Sequence, residues 1–137
     1  MAIFGGKKRN KGNKGTAEYR TAEQVLSQTV AFCESVLRYV DGTTEAEKAM
    51  IAEVRDKLGN AQRLQESLGD GTLDPQMCTT MGFALTFNQL VEITTKLDAS
   101  SSEEQALIDA AKRQLELAVK ANYAPAVEMQ KAGKLPL

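Results

Sequence analysis

Few residue types in this chain could carry catalysis or bind a metal. The 137 residues include no histidine and only two cysteines. Without imidazole the chain alone cannot build the usual histidine general base, a histidine-containing zinc site or a His–Asp phosphorelay. Cys33 and Cys78 stand 45 positions apart, which fits neither a metal-binding pair nor a dense disulfide framework. We therefore interpret both as reduced thiols in the core.

One turn rich in sulfur is a second candidate. Met77 and Met81 place two thioethers four residues apart, with the Cys78 thiol beside them, and Cu(I) prefers soft sulfur ligands. Methionine and cysteine in an apolar helix more often fill gaps in a core, so we favour core packing. Glu92 lies near the same apolar surface, where a carboxylate with its head in water is favoured over a buried one. A ferritin-like di-metal centre is excluded because it needs a Glu-x-x-His element.

Phosphate-binding and nucleophile motifs give no further support for an enzyme. The stretch 5–8, Gly-Gly-Lys-Lys, has neither Walker spacing nor a preceding strand. The threonine pairs and the serine run 100–102 have no neighbouring base, and such residues are typical of helix caps and helix surfaces. The sequence therefore predicts a protein that is not an enzyme and that has no metal or other cofactor.

Charge is distributed unevenly along the chain. The total is -1, yet the first fifteen residues contain five cations and no acid, which leaves the other 122 residues with 12 basic and 18 acidic side chains, or -6. The five cations are Lys7, Lys8, Arg9, Lys11 and Lys14. Lysine and arginine on a flexible backbone can follow the phosphates of a polyanion without a fixed geometry. We predict that these five residues bind a polyanion, with nucleic acid ahead of lipid.

Two other interpretations of this basic segment stay open. Ile3 and Phe4 precede the cations, so the segment could lie on an anionic membrane surface, with two apolar side chains in the interface and lysines at the headgroups. It could also be a solubilising tail. Four glycines and little apolar surface favour a flexible arm, because ordering it costs entropy that nothing repays.

Beyond the arm, apolar residues recur at helical spacing. Thr21 and Gln24 have capping-box spacing before an apolar stripe, which predicts a first helix over 21–40. Thr44 and Glu47 repeat that signal and predict a second helix over 44–68. Gly59 lies inside it, where a glycine costs about 1 kcal/mol relative to alanine. A break or a close helix contact at Gly59 is an alternative, but the apolar stripe resumes in phase beyond it, so we predict one continuous helix.

Two further long helices and one short helix complete the pattern. Asp74 and Pro75 are typical of an N-cap and first helical position, and predict a third helix over 75–97. The serine run before Glu103 and Glu104 predicts a fourth helix ending near Asn122. A short helix over 126–132 follows Pro125, which interrupts or restarts the chain's helical path.

The third helix is the most apolar part of the chain, and apolar residues occupy more than one of its sides. A helix of this kind is buried or faces a partner. We predict a protein interface formed by four of its residues: Phe83, Phe87, Leu90 and Ile93. The expected partner is a second copy of the chain or another protein.

These elements predict an all-α fold. Four long helices joined by short turns favour an up-down four-helix bundle, here with a flexible basic N-terminal arm and a short C-terminal helix. We assign residues 1–20 to the arm and 21–137 to the helical bundle domain. With neither a membrane-spanning apolar run nor a secretory pattern, the expected location is cytoplasmic or within a virion.

The function predicted from the sequence is that of a non-enzymatic structural or adaptor protein, with a viral or phage structural component as one example of this class. Its bundle would self-associate or dock on a protein while the arm contacts an anionic partner, nucleic acid first. A first alternative is a peripheral membrane-associated bacterial protein anchored by the Ile-Phe and basic segment. A second is a ligand-binding or catalytic bundle, although no small-molecule substrate is predicted.

Overall fold

A computed structural model describes residues 15–137, and within this range all regular secondary structure is helical. It comprises five helices in chain order: α1 (Ala17–Tyr39), α2 (Glu45–Asp70), α3 (Pro75–Lys96), α4 (Ser102–Lys120) and α5 (Ala124–Lys131). The all-α class and the packing of long helices into a bundle are thereby confirmed.

Helix α1 begins four residues before the start predicted at Thr21. The side chain of Thr16 caps the helix, since its hydroxyl oxygen accepts a hydrogen bond from the Tyr19 backbone N–H at 3.1 Å. Tyr19 is buried among the ends of α1, α2 and α3, and this burial favours a helix that includes it. Residues 17–20, which the sequence assigned to the arm, therefore belong to the bundle.

The other long helices start at the capping residues that the sequence predicted, but α2 ends at Asp70, two residues beyond its predicted end at 68. Thr44 and Glu47 form the predicted capping box, and the Asp74 carboxylate accepts from the Met77 N–H at 2.9 Å. Helix α2 continues through Gly59 to Asp70 and ends at Gly71, whose φ of 79° lies in the left-handed region. Glycine enters that region without the steric cost a side chain would add, which is why α2 stops there.

Successive helices run antiparallel, as cross-helix contacts show. Along α2 and α3, Leu64 lies beside Cys78, Lys57 beside Leu85, and Glu53 beside Gln89. The two helices therefore run in opposite directions. Helix α1 packs against α2, α3 and α4, and α5 folds back onto α4.

A close approach between α1 and α3 brings this diagonal pair together in the middle of the bundle. Gly82 on α3 is buried, and a Cβ atom there would lie 3.0 Å from both Leu26 Cδ2 and Val25 Cγ1 on α1. The largest core cluster lies farther along the same two helices and includes Val36 and Leu90. Because Gly82 has no side chain, α1 and α3 can approach each other this closely.

Candidate interaction surface on helices α2 and α3

The outer face of α3 is exposed yet carries no charge before Glu92. From Pro75 to Val91 the sequence contains no Asp, Glu, Lys or Arg, although 26% of the whole chain is charged. The exposed side chains of this stretch are Gln76, Met77, Thr80, Met81, Ala84 and Asn88. Met77 and Met81 are 48% and 40% exposed. Depletion of charge together with methionine is typical of the central part of protein interfaces.

An open groove of about 570 Å³ runs between this face and α2. Its walls are formed by Asp56, Lys57, Asn60, Arg63, Leu64, Met81, Ala84 and Leu85. Apolar atoms from α3 and Leu64 line it on one side, and polar side chains of α2 line it on the other. We call the groove and the charge-free face of α3 the α2–α3 surface.

Two of the three charged residues of the groove, Lys57 and Arg63, are held in place by hydrogen bonds. The Lys57 ammonium donates to the Leu85 carbonyl oxygen at 2.5 Å, which bridges the two helices. Arg63 donates to the Asn60 side-chain oxygen at 2.6 Å. Asp56 is exposed and forms no ion pair with any residue in the range 15–137. Its carboxylate and the remaining donors of Arg63 are therefore available to a partner.

Gly59 lies on the same side of α2, between Asp56 and Arg63. A Cβ atom built at Gly59 would meet nothing within 4 Å, so no packing within the described chain requires glycine there. The helix is also continuous at this position. The continuous helix predicted through Gly59 is thus confirmed, and no other helix of the described chain comes close to this glycine.

Three of the four residues predicted to form an interface lie inside the bundle. Phe83 and Leu90 are fully buried and Ile93 is 4% exposed, while Phe87 is partly buried and its ring lies 5.6 Å from that of Tyr123. Helix α3 is apolar on several sides because α1, α2 and α4 all pack on it. This burial removes the reason for assigning these side chains to a partner. Association through α3 itself stays a prediction, and the exposed methionines are better placed for it.

The sulfur-rich turn does not gather its sulfur atoms at one place. Cys78 is buried and its thiol lies 4.0 Å from the Leu64 carbonyl oxygen, whereas Met77 and Met81 reach the surface. Core packing is therefore correct for Cys78 and wrong for both methionines. Within residues 15–137, no group of three or more His, Cys, Asp or Glu side chains could hold a metal ion.

Both thiols are embedded among apolar side chains. Burial raises the pKa of Cys33 from 9.0 to about 11, with nearby Lys57 acting in the opposite direction. Burial likewise raises the pKa of Cys78, and Asp74 adds to that rise. Neither thiol is ionised near neutral pH, so neither is an activated nucleophile. Glu92 is half exposed and pairs with Lys96 at 4.0 Å, at the edge position that the sequence favoured.

Buried polar side chains form a feature that the sequence analysis missed. Four polar residues besides Thr79 are less than 9% exposed: Thr29, Thr86, Gln89 and Gln114. Gln114 is in phase with the apolar stripe of α4 between Ala111 and Ala118, and that phase is the signal that could have found it. The Nε2 of Gln114 donates to the Thr29 hydroxyl oxygen at 2.9 Å. The Thr86 hydroxyl and the Gln114 carbonyl oxygen are buried without a protein partner among the described residues.

The predicted polyanion-binding residues Lys7, Lys8, Arg9, Lys11 and Lys14 lie outside the described residues. What the structure shows is the body to which they are joined. Residues 15–137 carry 12 basic and 18 acidic side chains, and helix α1 starts directly after the basic segment.

No helix in the range 15–137 combines the length and the apolar character needed to cross a membrane. Comparison of the chain with models of known protein families, with curated proteins and with solved structures gave no match.

Proposed function

We propose that this chain is a non-enzymatic structural or adaptor protein that associates with protein through the α2–α3 surface. The observation that carries the proposal is the charge-free, methionine-bearing face of α3 beside an open groove that has one apolar and one polar wall. Six of the seventeen residues from Pro75 to Val91 are exposed, and Met77, Met81 and Ala84 among them present apolar side chains with no charge beside them on α3. Apolar surface without charge is favourable to bury against another protein.

The basic segment gives the proposal its second part. With five cations next to a body of net charge -6, the segment contacts an anionic partner, nucleic acid first, while the body is repelled from the same polyanion. Such a contact depends on charge and not on base edges, so it has little sequence preference. The protein would then connect a polyanion to a protein assembly.

The protein-binding part is tested by placing charge on the α2–α3 surface. The variant Met77→Glu/Met81→Glu is compared with Ser27→Glu/Ala31→Glu, which adds the same charge at the same four-residue spacing on exposed positions of α1. After cross-linking in the native source, the complexes are identified by mass spectrometry. We expect a defined protein complex that the methionine variant loses and the α1 variant keeps. Equal complexes in all three proteins would contradict the proposal.

The polyanion part is tested by titrating the full chain and a chain lacking residues 1–14 with single-stranded and duplex nucleic acid. Five cations can neutralise about five phosphates, so the log-log salt slope should be no steeper than about -4.5 on duplex and about -3.5 on single strands. The shortened chain should lose this salt-dependent binding and keep its helical circular dichroism signal. Unchanged binding after the deletion would refute nucleic-acid binding by the basic segment. Binding to anionic vesicles and not to nucleic acid would show that the segment contacts a membrane instead.

A further inference from the structure

We propose that a second copy of this chain occupies the α2–α3 surface, in an antiparallel two-fold contact whose axis passes between Gly59 and Asn60 on α2. The inference rests on the proposed function, since it names the protein that the surface binds. Five observations carry it: the register of α2 against α3, the order of charges around Gly59, the open space at Gly59 itself, the side-chain sizes on α3 and the distribution of net charge.

The register places the middle of the groove at the same height on both helices. The contacts Leu64–Cys78, Lys57–Leu85 and Glu53–Gln89 align α2 with α3. By this alignment the Gly59–Asn60 step is level with the midpoint of the turn Met81–Ala84. A two-fold axis through that level relates each helix of the surface to its own copy, so α2 meets α2 and α3 meets α3.

The charges around this level are complementary to themselves. Asp56 and Arg63 are seven residues apart on one face of α2, about 10 Å along the helix, and Gly59 and Asn60 lie midway between them. When a second α2 runs antiparallel across this midpoint, Arg63 of each copy lies opposite Asp56 of the other. Two ion pairs then form at the interface, and Asp56 gains a partner that it lacks among the described residues.

Gly59 is explained by the same arrangement. A glycine inside a helix costs about 1 kcal/mol relative to alanine, and the space around it is open within the described chain. At the centre of an antiparallel helix pair, the missing side chain allows the two backbones to approach closely, as small residues do at other tight helix crossings. Packing within the bundle does not require a glycine at position 59, and in this arrangement Gly59 lies where the α2 helices of the two copies cross.

Side-chain sizes on α3 also fit a contact of this kind. With the axis level with the midpoint of Met81 and Ala84, Met81 of one copy lies opposite Ala84 of the other. A large flexible side chain therefore meets a small one on both sides of the axis, and methionine adapts well to such a fit. No charge between Pro75 and Val91 opposes the approach.

Net charge favours this face over the rest of the body. Residues 15–137 total -6, so two copies repel each other when acidic surfaces meet. At the α2–α3 surface the charged groove residues are Asp56, Lys57 and Arg63, which sum to +1, and α3 adds none before Glu92. The charged residues of the groove therefore do not add to the repulsion that the net negative charge of the body produces.

The decisive experiment uses charge exchange in the full chain, followed by sedimentation equilibrium. The wild-type chain is expected to be a dimer. Asp56→Arg alone and Arg63→Asp alone each place like charges opposite each other, so each should weaken self-association roughly a hundredfold. An equimolar mixture of the two single variants restores both opposite-charge pairs and should form a heterodimer. The double variant Asp56→Arg/Arg63→Asp should again form a homodimer.

Loss of folding cannot imitate this pattern, because neither substituted side chain is buried and a misfolded variant would not regain association on mixing. Glu116→Arg, on the exposed side of α4, is the control and should leave the dimer unchanged. A separate variant, Gly59→Leu, should abolish the dimer while the monomer keeps its helical signal. A monomeric wild type, or a mixture of single variants that stays monomeric, overturns the inference.

Failure of this inference is distinguishable from failure of the proposed function. If the wild type is monomeric but the methionine variant still loses a complex with a different protein, the surface binds protein and the second copy is the wrong occupant. If the wild type is monomeric and the methionine variant loses no complex, both proposals fall.

Discussion

Gln114 on α4 and Thr29 on α1 are joined by a hydrogen bond in the interior of the bundle, 2.9 Å from Nε2 to the hydroxyl oxygen. Thr29 is fully buried and Gln114 is 1% exposed. The Thr29 hydroxyl in turn donates to the Val25 carbonyl oxygen at 2.8 Å. The contact between α1 and α4 therefore includes a hydrogen-bonded polar pair in the core. The effect of removing one member of the pair depends on whether the other is left buried without a partner.

Replacing Thr29 by valine should lower the free energy of unfolding by about 1–3 kcal/mol, because the Gln114 amide is left buried with only a 3.5 Å contact to the Val25 carbonyl. The double variant Thr29→Val/Gln114→Leu should be more stable than Thr29→Val, since no unpaired amide is then buried. Urea unfolding of the two single variants and the double variant forms a double-mutant cycle. Strictly additive losses in that cycle would contradict the coupling.

Substitutions at Gly82 and at Gly59, both inside helices, should change the stability of the chain in opposite directions. At Gly82 a side chain would collide with Leu26 and Val25, so Gly82→Leu should destabilise the chain by about 2 kcal/mol or more. At Gly59 nothing lies within 4 Å, so Gly59→Ala should stabilise the monomer by about 0.5–1 kcal/mol through helix propensity. Thermal unfolding at low protein concentration measures both changes. A Gly82→Leu variant as stable as wild type would show that α1 and α3 do not approach closely.

Alkaline pH should weaken the fold through Cys33. Burial raises the pKa of this thiol in the folded chain from 9.0 to about 11, so between these values the unfolded chain loses a proton that the folded chain keeps. The unfolded state then binds fewer protons, and the free energy of unfolding falls as pH rises from about 9 to about 11. Urea unfolding at several pH values should show a smaller fall for Cys33→Val than for wild type. Equal pH dependence in the two proteins would refute this role.

The capping box at the start of α2 predicts a loss of stability in acid. Hydrogen bonds from the Thr43 hydroxyl and from the backbone N–H groups of Thr44 and Thr43 lower the pKa of Glu47. A lowered pKa stabilises the fold above the ordinary value of 4.5, and that contribution disappears as pH falls through the folded value. Glu47→Gln should therefore show a smaller decrease in melting temperature on acidification than wild type.

Loss of the other half of the box should act at all pH values. The Thr44 hydroxyl oxygen accepts from the Glu47 N–H at 3.1 Å, and Thr44→Ala should cost about 1 kcal/mol at neutral pH. Exposed Thr95→Ala on α3 serves as a control, because its hydroxyl bonds only to carbonyl oxygens of its own helix. A Thr44→Ala variant no less stable than this control would contradict the capping role.

The helices and most of their ends were predictable without the tertiary structure, because capping is local chemistry. Capping residues act within a few residues of their own position, so their effect can be predicted from the sequence. The examples here are Thr44 with Glu47, Asp74 with Pro75, and Gly71. The start of α1 was the exception. Two threonines that can cap a helix, Thr16 and Thr21, lie close together. Burial of Tyr19 against α2 and α3 favours the helix that starts after Thr16.

Tertiary structure alone decided which apolar side chains are inside. Phe83, Leu90 and Met81 look alike in a hydrophobicity pattern, but α3 has neighbours on three sides and only the side bearing Met77 and Met81 remains open. The same packing turns Gln114 inward to Thr29 and leaves Gly59 outward with empty space. The periodicity of apolar residues predicts that a helix has an apolar side. How many of its sides are buried depends on the number and placement of the neighbouring helices, because burial is a property of the assembled bundle.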